Sequence, residues 1–383
     1  MPWIVPSNKL DSEQRLVLDN LLKIKSSHWI RGFAGSGKSV LLIHSLGETL
    51  ITNPRATACV VAYTHSLKDM LRSGLPEHAR HIPVITYHEF RSNPSRYDYI
   101  FVDEVQDLEP SVLVLLKSCC EKLVMAGDEE QSIYENRVTP DNITSCTTPS
   151  IHTLSIVYRL TEKLKKIVAT ILPKAKVNTA RSARLMTDVN ITLANAGTHN
   201  DELRWVWNEA QRFARVGDPV CILIPKHRLV QRFIKFVCNE MKIDNPSFEN
   251  ANGKRGYDAC NQHLASKKII LRYLGNDHGS LEDSDRERIV YVMTYHSAKG
   301  LDFETVFLPG LDSGISIFNN DDEDLERRLF YVASTRSRRN LFISYSGNDP
   351  HRFVAQMPND LLVKISINSV QPKTTSYVIE DIF

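Results

Sequence analysis

Gly32-Phe33-Ala34-Gly35-Ser36-Gly37-Lys38-Ser39, followed by the apolar run Val40-Leu41-Leu42-Ile43, is the stretch that decides the fold. It is a complete G-x-x-x-x-G-K-[ST] loop opening onto a helix. Gly35 and Gly37 let backbone N–H groups curl around an anion, and the helix N-terminus adds its positive end. Lys38 can reach the β- and γ-phosphates, and the Ser39 hydroxyl can ligate Mg²⁺. The loop implies a bound nucleoside triphosphate and leaves open what the triphosphate is for.

Around this loop, short apolar runs alternate with helical patterns. Candidate strands are 57–63, 99–102 and 122–126; candidate helices are 12–22, 38–50 and 110–120. Alternation of this kind predicts an α/β fold with a parallel sheet covered on both faces. Thr139-Pro140-Asp141-Asn142 and Thr147-Thr148-Pro149-Ser150 read as a linker. A second alternating unit follows, with strands at 220–224, 289–294, 305–308 and 341–345 and helices at 228–241 and 325–334. The expected domains are therefore 1–150 and 151–366, with a polar, irregular insert at about 244–286 and a tail at 367–383.

Composition adds bounds. Of 383 residues, 42% are hydrophobic and 24% charged, as in ordinary globular domains, and the net charge is +2. No apolar run approaches the roughly 20 residues that span a bilayer. The N-terminal stretch lacks a signal-peptide layout. Seven cysteines without a C-x-x-C pair suit reduced, buried thiols, so a cytoplasmic protein is expected. Residues 151–240 hold 15 Lys and Arg against 7 Asp and Glu, which suits either a phosphate backbone or a solvated basic face.

Three further blocks carry chemistry. Asp103-Glu104-Val105-Gln106-Asp107 follows the run Tyr99-Ile100-Phe101-Val102. Carboxylates there stand at the sheet edge where doubly wound folds bind ligands; one can hold Mg²⁺ and the next can activate water. Lys122–Tyr134 is a second strand-to-polar-loop junction, whose Gln131 amide can report on a γ-phosphate. Thr294–Phe303 places small residues, a lysine and a glycine at a strand end, a set that suits close approach to phosphate, and Arg336 follows an amphipathic helix. Arg336 reads as a dipole partner or, facing a γ-phosphate, as an arginine finger.

Taken in order, DEVQD, GDEEQSIY, TYHSAKGLDFETVF and FYVASTR resemble the superfamily 1 helicases of the UvrD/Rep type, over nearly the whole length from Asp11 to about Tyr345. The resemblance implies two tandem RecA-like domains, with ATP and Mg²⁺ in the cleft and single-stranded nucleic acid, by resemblance DNA, across the top. It makes Gln14 the adenine reader, Lys38 and Ser39 the phosphate and Mg²⁺ ligands, Asp103 the Mg²⁺ carboxylate and Glu104 the catalytic base. It makes Gln131 the γ-phosphate sensor, Tyr158 the adenine stack, Arg159 and Arg336 the two arginine fingers, and Asp302 the ribose contact. Tyr63, Thr64, His65, His88, Arg137 and His296 become nucleic-acid contacts.

The chain departs from the family pattern. Fewer than 40 residues separate the Tyr63 block from DEVQD, so the usual large first-domain insert is absent. Glu135-Asn136 stand where the family often has a stacking aromatic. ATP hydrolysis is better supported than efficient strand separation. The leading expectation is a single-strand translocase or helicase, with 3′-to-5′ travel implied by resemblance alone. The alternative is a nucleic-acid- or nucleotide-gated ATPase switch within a larger protein complex, such as a phage-defence assembly. A small-molecule kinase would leave the later blocks idle.

Overall fold

The structure is a computed structural model that describes residues 3–128, 131–133, 138–173, 175–183, 188–249, 256–275, 278–281, 288–318 and 322–367. Among the described residues the chain forms two parallel sheets, of six and seven strands, and a two-stranded ribbon. The first sheet uses β1 (His28–Gly32), β2 (Ala58–Ala62), β3 (Val84–Thr86), β4 (Tyr97–Val102), β5 (Cys120–Gly127) and β6 (Ser150–Leu154), in the order β3-β2-β4-β5-β1-β6. The ribbon pairs β7 (Ile156–Val157) with β8 (Arg181–Ser182). The second sheet uses β9 (Asn190–Ala196), β10 (Val220–Ile224), β11 (Leu271–Tyr273), β12 (Val290–Thr294), β13 (Phe303–Leu308), β14 (Ser337–Ser346) and β15 (Val363–Ile367). Its order is β11-β12-β10-β13-β14-β9-β15. This is the α/β architecture that the alternation predicts.

The central strands of each sheet, such as Ala58–Ala62 and Val220–Ile224, are buried on both faces because they are apolar on both faces. Val60 and Ala62 of β2 pack with the helices Ser12–Lys23 and Lys38–Thr52, whereas Cys59 and Val61 pack with Pro110–Ser118. In the second sheet, Cys221 and Leu223 face Glu162–Ile171 and Glu323–Ser334, and Val220 and Ile222 face His199–Arg215 and His227–Glu240. The period-two alternation of side chains thus sorts each strand between two cores.

Four expectations need correction. Ser150–Leu154 is a strand paired to β1, so the crossing between sheets falls after Leu154, not at 150. The stretch expected as linker is the helix Pro140–Thr147. Thr139 caps it and Pro140 sits at its first turn, where a missing N–H costs nothing. The segment expected as an irregular insert, 244–286, contributes the helix Asp258–Ser266 and β11, the edge strand beside β12. Asn261 ties the two together, donating to the Tyr273 carbonyl and accepting from its N–H, at 2.9 and 2.8 Å. Finally, the expected tail begins one residue inside β15, which pairs with β9; residues 368–383 lie outside the described residues.

A pH dependence follows from the seam between β1 and β6. His28 Nδ1 lies 3.0 Å from His152 Nε2 inside the sheet. Burial, with Lys122 and His152 nearby, pushes His28 down to about 4, and burial lowers His152 too. The unfolded chain takes up a proton near the ordinary value of 6.5, the folded chain only near 4. Between those values the unfolded state binds more protons, so stability is full above 6.5 and falls as the pH drops towards 4. Urea titrations at pH 7 and pH 5 check this; His28→Phe should flatten the difference, and an unchanged midpoint in the parent would contradict it.

Candidate nucleotide site

The phosphate loop joins β1 to the helix Lys38–Thr52, which starts on Gly37 with no side-chain cap. Gly35 and Gly37 both take left-handed backbone, with φ of 72° and 89°. A Cβ on Gly37 would sit 2.5 Å from Gln14 Nε2, and one on Gly35 would sit 2.5 Å from the Arg159 Cβ. Only glycine fits at these two places. The Lys38 ammonium donates to the Gly32 and Phe33 carbonyls of its own loop, at 2.8 and 3.0 Å. Gln14 belongs to a capping box with Asp11 and its amide donates to the Ser36 carbonyl at 3.3 Å.

β4 and β5 flank β1 on the same side of the sheet, so their C-terminal ends meet the loop. Ser39 Oγ donates to Asp103 Oδ2 at 2.6 Å. Glu104 follows in left-handed backbone, φ 55° and ψ 44°, and its carboxylate accepts from Gln106 Nε2. A bulky residue persists in that conformation only where its surroundings enforce it. Burial and then the Glu104 carboxylate raise Asp103 to about 7. Burial pushes Glu104 up as well, but the Lys299 and Lys38 charges outweigh it and hold the carboxyl below the usual range. At the end of β5, Gln131 Nε2 donates to Asp128 Oδ2 at 2.8 Å.

The second sheet supplies cations. Arg336 stands immediately before β14 and is fully buried. Its guanidinium donates to the carbonyls of Val332 and Leu301 and, across the cleft, to Gln131 Oε1 at 3.0 Å. Burial and the nearby Arg159 lower Arg336 to about 9, which leaves it cationic at neutral pH. Asp302 stands immediately before β13, the neighbour of β14. It accepts from Arg338 Nε at 2.7 Å and pairs with Arg159 at 3.4 Å. Burial opposes its charge, yet Arg159 and Arg338 hold its carboxyl below the ordinary range. The Tyr158 N–H donates to the Gly35 carbonyl at 2.8 Å, and its side chain is exposed. The C-terminal edge of the first sheet therefore faces the N-terminal edge of the second, and all the expected nucleotide residues converge there.

Sequence reading missed Lys299 as a cross-cleft residue. Its ammonium reaches Asp107 Oδ2 at 2.5 Å, Glu104 Oε2 at 3.9 Å and the Gln131 carbonyl. Its position in TYHSAKG suggested phosphate instead; only the fold reveals the facing acids.

Four of the six expected nucleic-acid residues lie together on the first sheet, apart from the nucleotide row. Tyr63 and Thr64 follow β2, His65 opens the next helix, and His88 follows β3, beside the nucleotide row on the same sheet edge. Tyr63 stacks on Tyr87 at 4.8 Å, and His88 is exposed with its ring 3.9 Å from that of Tyr87. The Thr64 hydroxyl caps the helix His65–Ser73. His296 is half-buried, and burial followed by His227 pushes it down to about 4. Arg137 lies outside the described residues.

Ser39 and Asp103 offer one hydroxyl and one carboxylate, a donor set that suits Mg²⁺, which keeps several waters and phosphate oxygens. The cradle of Gly35, Gly37 and Lys38 fits a triphosphate. Residues 28–204 match the viral superfamily 1 RNA helicase core domain, and residues 263–348 match the UvrD-like helicase C-terminal domain. The chain carries a superfamily 1 helicase core.

Similar curated proteins include the ATP-dependent DNA helicase Rep of Buchnera aphidicola subsp. Schizaphis graminum, 35% identical over 108 residues, and the ATP-dependent DNA helicase PcrA of Staphylococcus aureus strain Mu50, 33% identical over 117. These alignments cover 24% and 25% of this helicase-type chain and 16% of each relative, so the chain spans only a small part of the curated relatives it matches. Among solved structures, the PRRSV helicase aligns with a TM-score of 0.44 and 16% identity, over 89% of this chain and 56% of that one. No described helix of the superfamily 1 core is long and apolar enough to cross a membrane.

Proposed function

We propose that this chain is an ATP-driven motor that moves along single-stranded DNA, with ATP and Mg²⁺ held between two RecA-like domains that meet after Leu154. The observation that carries the reading is the hydrogen bond from Arg336 on the second lobe to Gln131 on the first, at 3.0 Å. A cation delivered across a cleft to the sensor position links nucleotide state to lobe closure. In this reading Lys38 and the loop N–H groups hold the phosphates, Gln14 reads adenine, Tyr158 stacks on it and Asp302 meets the ribose. Mg²⁺, held by Ser39 and Asp103, supplies charge neutralisation on the phosphates. Glu104 takes a proton from water as its oxygen attacks the γ-phosphorus and ADP leaves. Arg159 and Arg336 stabilise the charge that develops.

Nucleic acid would lie along the row at the ends of β2 and β3, where aromatic stacking contributes roughly 1–3 kcal/mol per base. Travel from 3′ to 5′ and a cytoplasmic setting belong to the same proposal. The experiment is ATPase rate with and without single-stranded DNA or RNA, followed by displacement of a tailed duplex. Strong stimulation by a strand is expected, with Lys38→Ala reducing turnover to background, and processive displacement would add support for the motor. Basal hydrolysis that no strand alters would end the motor reading. Strand binding without displacement would favour a gated switch subunit instead.

A further inference from the structure

Lys299 and Asp107 form a buried ion pair that spans the two lobes, with side chains 2% and 0% exposed. Lys299 belongs to the turn between β12 and β13 on the second lobe; Asp107 ends the 3₁₀ turn Val105–Asp107 on the first. A buried charge is tolerated only when it is paired and hydrogen-bonded. Open the cleft, and both groups regain water and lose each other. The contact therefore exists only in the closed arrangement.

What it touches gives the pair a task. The turn bearing Asp107 begins at Glu104, the left-handed residue, and the Asp107 N–H donates to the Glu104 carbonyl at 3.0 Å. The same ammonium donates to the Gln131 carbonyl and approaches Glu104 Oε2 at 3.9 Å. Between these segments runs Gln106. Its amide donates to Glu104, its side-chain oxygen accepts from the Asp128 N–H at 3.0 Å, and its carbonyl accepts from Ser132 Oγ at 3.3 Å. One cation thus braces the turn that carries the water-activating carboxylate and the loop that carries the sensor amide.

We infer that Lys299 is a positioning residue of the hydrolysis site, which fixes the Glu104 turn and the Gln131 loop together only when the second lobe closes. The inference rests on the ATPase reading above and adds a residue to it. Lys299 makes no hydrogen bond to Glu104, which it approaches only to 3.9 Å; it acts through Asp107 and the Gln131 backbone.

The test uses the full chain as the parent, Lys299→Met, Lys299→Arg and Asp107→Asn. Three quantities are measured: affinity for a fluorescent ATP analogue, kcat and KM with saturating single-stranded DNA, and lobe separation by small-angle scattering without nucleotide. Lys299→Met should leave nucleotide affinity within about threefold, lower kcat by about tenfold or more, and shift the ligand-free lobes apart. Lys299→Arg, which keeps the cation, should recover most of kcat. Asp107→Asn should reproduce the Met phenotype, and the double variant should lose no more than either single one. A folded Lys299→Met protein with parental kcat would overturn the inference, as would parallel losses of affinity and kcat or unchanged lobe separation. If the parent hydrolyses no ATP while Lys299→Met still opens the lobes, the ATPase reading fails and the cross-lobe brace survives.

Discussion

Glu104→Gln is expected to lower ATP turnover by about 10²–10⁴-fold and to leave nucleotide affinity within a few-fold of the parent. The substitution keeps shape and keeps a side-chain oxygen for the Gln106 amide. What disappears is the basic oxygen that accepts the proton of the attacking water. A secondary effect has a definite sign. Asp103 is raised by burial first and by the Glu104 charge next, so removing that charge eases ionisation of Asp103. Mg²⁺-dependent nucleotide binding should be equal or slightly tighter. Equilibrium binding together with single-turnover hydrolysis separates the two quantities, and a matched decline in both would contradict the role of base.

Arg336→Ala should be the more damaging change, by about 10³–10⁵-fold in kcat if the side chain acts as an arginine finger. It should also lower stability. The guanidinium satisfies the Val332 and Leu301 carbonyls and the Gln131 amide oxygen inside a fully buried site. Truncation takes this donor from the Leu301 carbonyl and the Gln131 amide oxygen, at roughly 1–3 kcal/mol for each group that water cannot reach, while the Val332 carbonyl keeps its bonds from Thr335. Arg336→Lys separates the effects. It keeps the charge and loses the planar fork, so most of the fold stability should return while kcat stays low. Melting temperatures beside kcat for the two variants check this. An Arg336→Ala protein with near-parental turnover would remove the finger from the scheme.

The candidate nucleotide site is legible because its residues sit in contiguous words. The phosphate loop needs two left-handed glycines and a lysine in fixed order, and DEVQD needs carboxylates at the end of an apolar strand. Strands such as Val220–Ile224 were legible for a related reason: buried on both faces, they are apolar throughout. β1 escaped notice because His28 and Arg31 flank only two apolar residues; its identity comes from pairing with β5 and β6. Thr-Pro-Asp-Asn at 139–142 was misread because a turn and a capped helix start share those residues. β11 has three residues and depends on Asn261, which no local pattern announces. Lys299 and Asp107 are far apart in the chain, and their partnership is a property of two surfaces meeting.

The hydrogen bond from the Tyr158 N–H to the Gly35 carbonyl makes the fuel port part of the bearing. The loop that would grip the phosphates is the same piece of backbone on which the neighbouring lobe leans, with the Arg159 Cβ directly above a residue that has no side chain to give way. Any reshaping of that loop as cargo enters or leaves is felt by the second lobe without an intervening lever. A joint built this way has little slack, so occupancy and posture are coupled at their source.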